Sequence, residues 1–198
     1  ASQRMSSLSL KKLEIVKIDL NYDQIRLLEY YNTLEHKDIN DIKLTYSDKF
    51  ETIRDLKNHM KTDSHKEVDI RKDLVSECDK ENPLIKEILD QLNKKLNCDE
   101  FGTITFFLQK AGEDVPLHGD YPYRKNSLLI IPIIVPPYYT QSKAITFYKD
   151  GGEYTINQPI IMNVMPPHGV RNIDKDRLML HIEIPNLTIE EVNDRIGI

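Results

Sequence analysis

Leu128-Leu129-Ile130-Ile131-Pro132-Ile133-Ile134-Val135-Pro136-Pro137 is the longest apolar run in the chain, and its reading decides the fold. A membrane-crossing helix needs about 20 apolar residues without breaks, whereas this run is shorter and is interrupted by prolines. Its branched side chains suit buried strands instead, read as Leu128–Ile131 followed by Ile133–Val135. Thr103-Ile104-Thr105-Phe106-Phe107-Leu108 upstream has the same composition. Ala144–Tyr148, Ile160–Val164 and Leu178–Ile184 follow downstream, with Pro136-Pro137, Asp150-Gly151-Gly152 and Pro166-Pro167 as turn signals between them. A series of short strands with no helical pattern between them argues for an antiparallel sandwich or barrel rather than a doubly wound sheet.

Residues before Phe101 follow a different period. Leu13–Ile18 reads as a short strand. Asn21-Tyr22-Asp23 then caps a helix from Gln24 to about Leu34, with Ile25, Leu28 and Tyr31 about a turn apart. Asn82-Pro83 opens a clearer helix to Leu96, whose Leu84, Ile85, Ile88, Leu89, Leu92 and Leu96 form an apolar stripe made to lie on a sheet. Between these helices the chain is polar, with a short helix expected around Phe50–Met60 and a loop over 60–75 that would suit a lid, which composition alone does not show. His36, His59 and His65 fall in this region without a companion at ligand-like spacing and read as ordinary surface or helix histidines. The expected organisation is a supporting, helix-rich region over 1–100 and a β core over 101–198, together forming one compact domain.

With 198 residues the chain can bury one sizeable core, and two separate domains would each be thin. Its net charge of -5 and lack of a long basic run exclude a general polyanion surface, so no dedicated nucleic-acid binding is expected. Cys78 and Cys98 are the only cysteines, too few for a disulfide framework and expected as free thiols. No apolar segment marks a membrane span or a secretion signal, and a soluble, cytoplasmic protein is expected.

Chemistry concentrates in the β half. In an extended segment alternate residues face the same way, so His118-Gly119-Asp120 sets an imidazole and a carboxylate on one side of the backbone. Taken alone, the tripeptide fits a loop turn equally well. His168, in Pro166-Pro167-His168-Gly169-Val170, can add a second imidazole. Two imidazoles and one carboxylate form a set that iron(II) accepts on one face of its octahedron. His181 lies mid-strand among apolar residues and reads first as structural.

Alternation in the last strong strand puts Arg177, Met179, His181 and Glu183 on one face, with Leu178, Leu180, Ile182 and Ile184 on the other. The wholly apolar face is the packing face, which turns Arg177 toward the barrel interior. A guanidinium there needs an anion. Glu183 and Asp174 are internal alternatives to a ligand carboxylate.

At these residues the sequence resembles the iron(II) and 2-oxoglutarate-dependent oxygenases, which share His-x-Asp, a distal histidine and a basic residue on the following strand. Arg124 to Ile134 and Pro167-His168-Gly169-Val170-Arg171-Asn172 look like the corresponding segments of aspartyl/asparaginyl and prolyl hydroxylase-like members. The likeness covers roughly 101–184 and implies a double-stranded β-helix, the jelly-roll, cupin-like architecture, with N-terminal helices packed on one sheet. It implies His118, Asp120 and His168 as iron ligands and catalytic centre, and Arg177 as the anchor for the far carboxylate of 2-oxoglutarate. Arg124, Asn126, Tyr138 and Asn163 are further candidates for co-substrate or substrate contacts.

The implied cofactors are iron(II), 2-oxoglutarate as co-substrate, dioxygen, and ascorbate as reductant. The implied reaction is hydroxylation of a C–H bond, with succinate and carbon dioxide as co-products. The acid at Asp120 favours hydroxylation, because the family's halogenating branch replaces it. Tyr121, Tyr123, Tyr138 and Tyr139 crowd the expected barrel mouth and suit a peptide or a small polar metabolite, and the resemblance implies a prolyl or aspartyl/asparaginyl residue of a peptide or protein, or the free amino acid, as substrate. An oligomer is compatible with the sequence but not legible in it. Two other classes stay open: a cupin-like metalloenzyme of another chemistry, and a non-catalytic β-barrel binding module.

Overall fold

A computed structural model describes residues 13–41, 51–52, 54–55, 73–112, 114–118, 126–133 and 142–197. Asp120, Arg124, Tyr138 and the tyrosines at 121, 123 and 139 lie outside the described residues. So do His59 and His65, residues 134 and 135, and most of the segments expected as a short helix and a lid.

The chain is mainly β and folds as a double-stranded β-helix. In chain order the elements are β1 (Ile15–Lys17), α1 (Gln24–Thr33), β2 (Lys37–Asp38), a 3-10 turn (Ile39–Asp41), β3 (Leu74–Glu77) and α2 (Pro83–Leu96). β4 (Ile104–Gln109), β5 (Val115–His118), β6 (Asn126–Ile133), β7 (Ile145–Tyr148) and β8 (Glu153–Tyr154) come next. β9 (Ile160–Asn163), β10 (His168–Arg171), β11 (Arg177–Pro185) and α3 (Ile189–Ile196) complete it. The larger sheet runs β1-β9-β6-β11-β4-β3-β2 and the smaller β5-β10-β7-β8. Its strand pairs are antiparallel throughout.

Strand parity separates two apolar layers. On the outward face of the larger sheet, Phe106, Leu129, Ile161 and Leu180 pack against Leu27 of α1, Ile88 and Leu92 of α2 and Val192 of α3. On the inward face Met179, Ile130 and Met162 meet Tyr148 of the smaller sheet. The helices therefore brace one sheet face, as their stripes require. In α2 the buried stripe is Ile85, Ile88, Leu92 and Leu96, while Leu84 and Leu89 flank it. Asn82 Oδ1 caps the start of α2 by accepting the Leu84 N–H at 2.9 Å, with Pro83 in the first turn. Asn97 ends it in the left-handed region, φ 48°.

Two expectations change. Ile25 faces solvent at 72% exposure, and the buried face of α1 is Leu27 and Tyr31 instead. Pro132 does not divide the central apolar run: β6 passes through it, and Pro132 opposes Met179 of β11. Register with β9 ends at Ile130, so one edge of β6 is open there, where a residue lacking an N–H is tolerated. His168-Gly169-Val170-Arg171 forms strand β10, held between β5 and β7. Among the described residues, the first hundred supply three strands of the larger sheet besides two helices.

Candidate active site

Register brings the two histidines together. His168 opens β10, and its Cα partners are His118 of β5 on one side and Tyr148 of β7 on the other. Residues far apart in sequence thus share one level of the smaller sheet. His168 is buried, and its ring lies 5.9 Å from that of Tyr148. Tyr148 is fixed in turn by its hydroxyl, which donates to the Asn163 carbonyl at 2.6 Å.

The His168 Nδ1 lies 2.8 Å from the Pro166 carbonyl oxygen. A carbonyl only accepts, so Nδ1 carries the proton and Nε2 becomes the basic nitrogen of the neutral ring. That is the tautomer a metal ligand requires, held by a backbone oxygen in the usual manner of such histidines. The Pro-Pro turn contributes this carbonyl, which explains its place directly before the histidine. Among the described residues no three histidine, cysteine or acidic side chains converge. The third donor expected from the sequence, Asp120, lies just beyond the end of β5 and outside those residues. The donor set expected from the sequence, two imidazoles and one carboxylate, would suit iron(II).

Arg177 opens β11 on the inward face of the larger sheet, paired in register with Gln109 of β4. It is buried, and its Nη1 donates to Gln109 Oε1 at 3.2 Å. Burial lowers the guanidinium pKa to about 10, which still leaves it cationic at neutral pH. Neither internal alternative neutralises it. The Asp174 carboxylate accepts from Ser142 Oγ at 2.7 Å and the Lys143 N–H at 2.9 Å, and Glu183 accepts the Thr103 N–H at 3.3 Å. Among the described residues, the ion pairs involve other arginines and lysines. A buried cation that meets only an amide oxygen is costly unless an anion joins it.

Asn163 ends β9, where its Oδ1 accepts the Met165 N–H at 3.2 Å and shapes the turn toward His168. Asn126 opens β6 opposite Pro185. Gln109 and Tyr148 escape the sequence reading. The parity of β4 could have flagged Gln109, which shares a face with Thr105 and Phe107 and is the polar end of an apolar strand. The position of Tyr148 follows only from cross-strand register.

Comparison with known proteins agrees with this architecture. No family model matches the chain, and no curated protein matches it in sequence. Solved structures do. A viral collagen prolyl hydroxylase from Paramecium bursaria Chlorella virus-1, in a 2-oxoglutarate complex, matches with TM-score 0.53 at 13% identity, covering 88% of this chain and 97% of that one. A Pseudomonas putida prolyl-4-hydroxylase matches with TM-score 0.51 at 17% identity, over 92% and 97%. A 2-oxoglutarate–iron(II) oxygenase family protein from Burkholderia pseudomallei matches with TM-score 0.51 at 10% identity, over 92% and 88%. The chain has the fold of the 2-oxoglutarate–iron(II) oxygenases. At these identities the likeness is one of fold.

Proposed function

We propose that this protein is an iron(II)- and 2-oxoglutarate-dependent oxygenase that hydroxylates a C–H bond of an amino-acid residue or free amino acid, of prolyl or aspartyl/asparaginyl type. The observation that carries the reading is Arg177, a buried guanidinium on the inward face of β11 with no carboxylate partner among the described residues. Beside it stands the register pairing of His118 with His168. A metal site of another chemistry, or a binding module without metal, leaves Arg177 without an anion.

His118, Asp120 and His168 would hold the metal, and Arg177 the far carboxylate of 2-oxoglutarate. When bound, iron(II) with 2-oxoglutarate and dioxygen supplies the oxidation of the C–H bond, leaving succinate and carbon dioxide. The protein's own part is orientation. Pro166 O fixes the His168 tautomer, Gln109 aims the guanidinium, and Met179 and Phe107, register partners next along the same face, would shield from water the ion pair that Arg177 would make with that carboxylate. Arg124, Asn126, Tyr138 and Asn163 are the remaining candidates for co-substrate or substrate contacts, and ascorbate would serve as reductant.

Succinate release under air, with iron(II) and 2-oxoglutarate present, tests the reading across a panel of prolyl, aspartyl and asparaginyl peptides and the free amino acids. Substrate-stimulated succinate, abolished by His168→Ala, is the expected result. Folded protein that neither binds 2-oxoglutarate nor releases succinate would overturn it.

A further inference from the structure

His181 has no role in the site described so far, and its surroundings do not look like those of a core histidine. It lies on the inward face of β11, two pleats beyond Arg177, with Thr105 of β4 and Ile130 of β6 as its register partners. Its ring stacks on Phe107 at 5.2 Å between centroids and 19° between planes, which fixes the direction of its nitrogens. Nε2 is enclosed and meets no hydrogen-bond partner among the described residues. Packing interactions do not offset the desolvation of such a nitrogen, and an orphaned polar atom in a native interior calls for a reason.

The reason lies in the neighbour on the same face. Burial first, and then repulsion from Arg177, lower the imidazole pKa to about 3, so the ring is neutral at physiological pH. A neutral ring placed near a guanidinium can donate a hydrogen bond without adding a second buried charge. We propose that His181 is a ligand-binding residue whose Nε2–H donates to an oxygen of the same dicarboxylate that Arg177 holds. This rests on the co-substrate reading above. It adds that one wall, β11, grips the acid at two points, through an ion pair at Arg177 and a neutral hydrogen bond at His181. A monocarboxylate satisfying Arg177 alone would then bind more weakly than a diacid.

The test is calorimetric titration of 2-oxoglutarate into the full chain loaded with manganese(II), comparing wild type with His181→Leu, His181→Gln and Arg177→Met, together with thermal melts. The expected result is that His181→Leu weakens 2-oxoglutarate binding about tenfold or more while its melting temperature without ligand rises. Replacing an orphaned polar group by an apolar one of similar size relieves the folded state. His181→Gln, which presents an amide near the Nε2 position, should recover most of the affinity. Unchanged affinity in His181→Leu, with binding lost in Arg177→Met, would overturn this inference and leave the co-substrate reading standing. A His181→Leu protein that fails to fold would contradict the orphaned nitrogen and overturn it as well. Wild type that does not bind 2-oxoglutarate would overturn both.

Discussion

Arg177 and His181 share the inward face of β11, and each carries a desolvation cost that its neighbours leave largely uncompensated. A folded interior keeps such groups when a ligand completes them. Removing the guanidinium should therefore act on binding before chemistry. Arg177→Met is expected to cost about 2–5 kcal/mol of co-substrate affinity, the range for truncating one partner of a buried charge pair, and calorimetry of the manganese-loaded protein would measure it. His181 makes a separate prediction about acid. Its pKa is about 3 in the folded chain against about 6.5 when unfolded, so between those values the unfolded state binds more protons. The folded state therefore loses nothing to this group's titration above pH 6.5 and is destabilised by it as pH falls toward 3, by up to about 1.4 kcal/mol per unit. The facing positions, Thr105, Phe107 and Ile130, carry no charge; on β11 itself Glu183 shares the face, with its carboxylate accepting the Thr103 N–H, and Arg177 is the charged group that acts on the ring. Urea melts from pH 7 to 4 should show this slope in wild type and a shallower one in His181→Leu. Equal slopes would mean that the His181 Nε2 is not enclosed as described.

Between β5 and β7, strand β10 sets the position of His168, and the spacing of these strands depends on Gly169. A Cβ at that residue would come within 2.6 Å of the Val115 carbonyl and 3.1 Å of the Phe147 ring. Gly169→Ala should push β5 away from β10 and with it the backbone of His118. The expected cost is about 1–3 kcal/mol of stability, with a loss of metal affinity larger than that stability change alone accounts for. Equilibrium metal titration beside a urea melt separates the two effects. The helices act at a distance from the chemistry. Leu92 is fully buried between α2 and the outward face of the larger sheet, and Leu92→Ala should cost about 2–5 kcal/mol in a urea melt without changing 2-oxoglutarate affinity in the protein that remains folded.

Two apolar layers on either side of one sheet give the molecule a structural face and a chemical face, and the sequence displays the first more openly than the second. α2 is legible because its stripe, its proline and its asparagine cap all agree. β4, β6, β7, β9 and β11 are legible because their apolar and branched residues suit burial wherever they pack. β3 and β10 are not: Leu-Val-Ser-Glu and His-Gly-Val-Arg have no strand pattern of their own and become strands because their neighbours pair with them. α3 carries a capping box, Thr188 with Glu191, a signal that a reading weighted toward strands passes over. In the site, the spacing of His118, Asp120, His168 and Arg177 speaks through a family resemblance. Gln109 and Tyr148 depend on register across strands, which no local window contains. No helix among the described residues is long and apolar enough to cross a membrane. The most direct measurement is an anaerobic titration of the metal-free protein with iron(II) and then 2-oxoglutarate. The account predicts binding of the metal, lost in His168→Ala, followed by binding of 2-oxoglutarate, lost in Arg177→Met. A folded protein that takes up neither would contradict it.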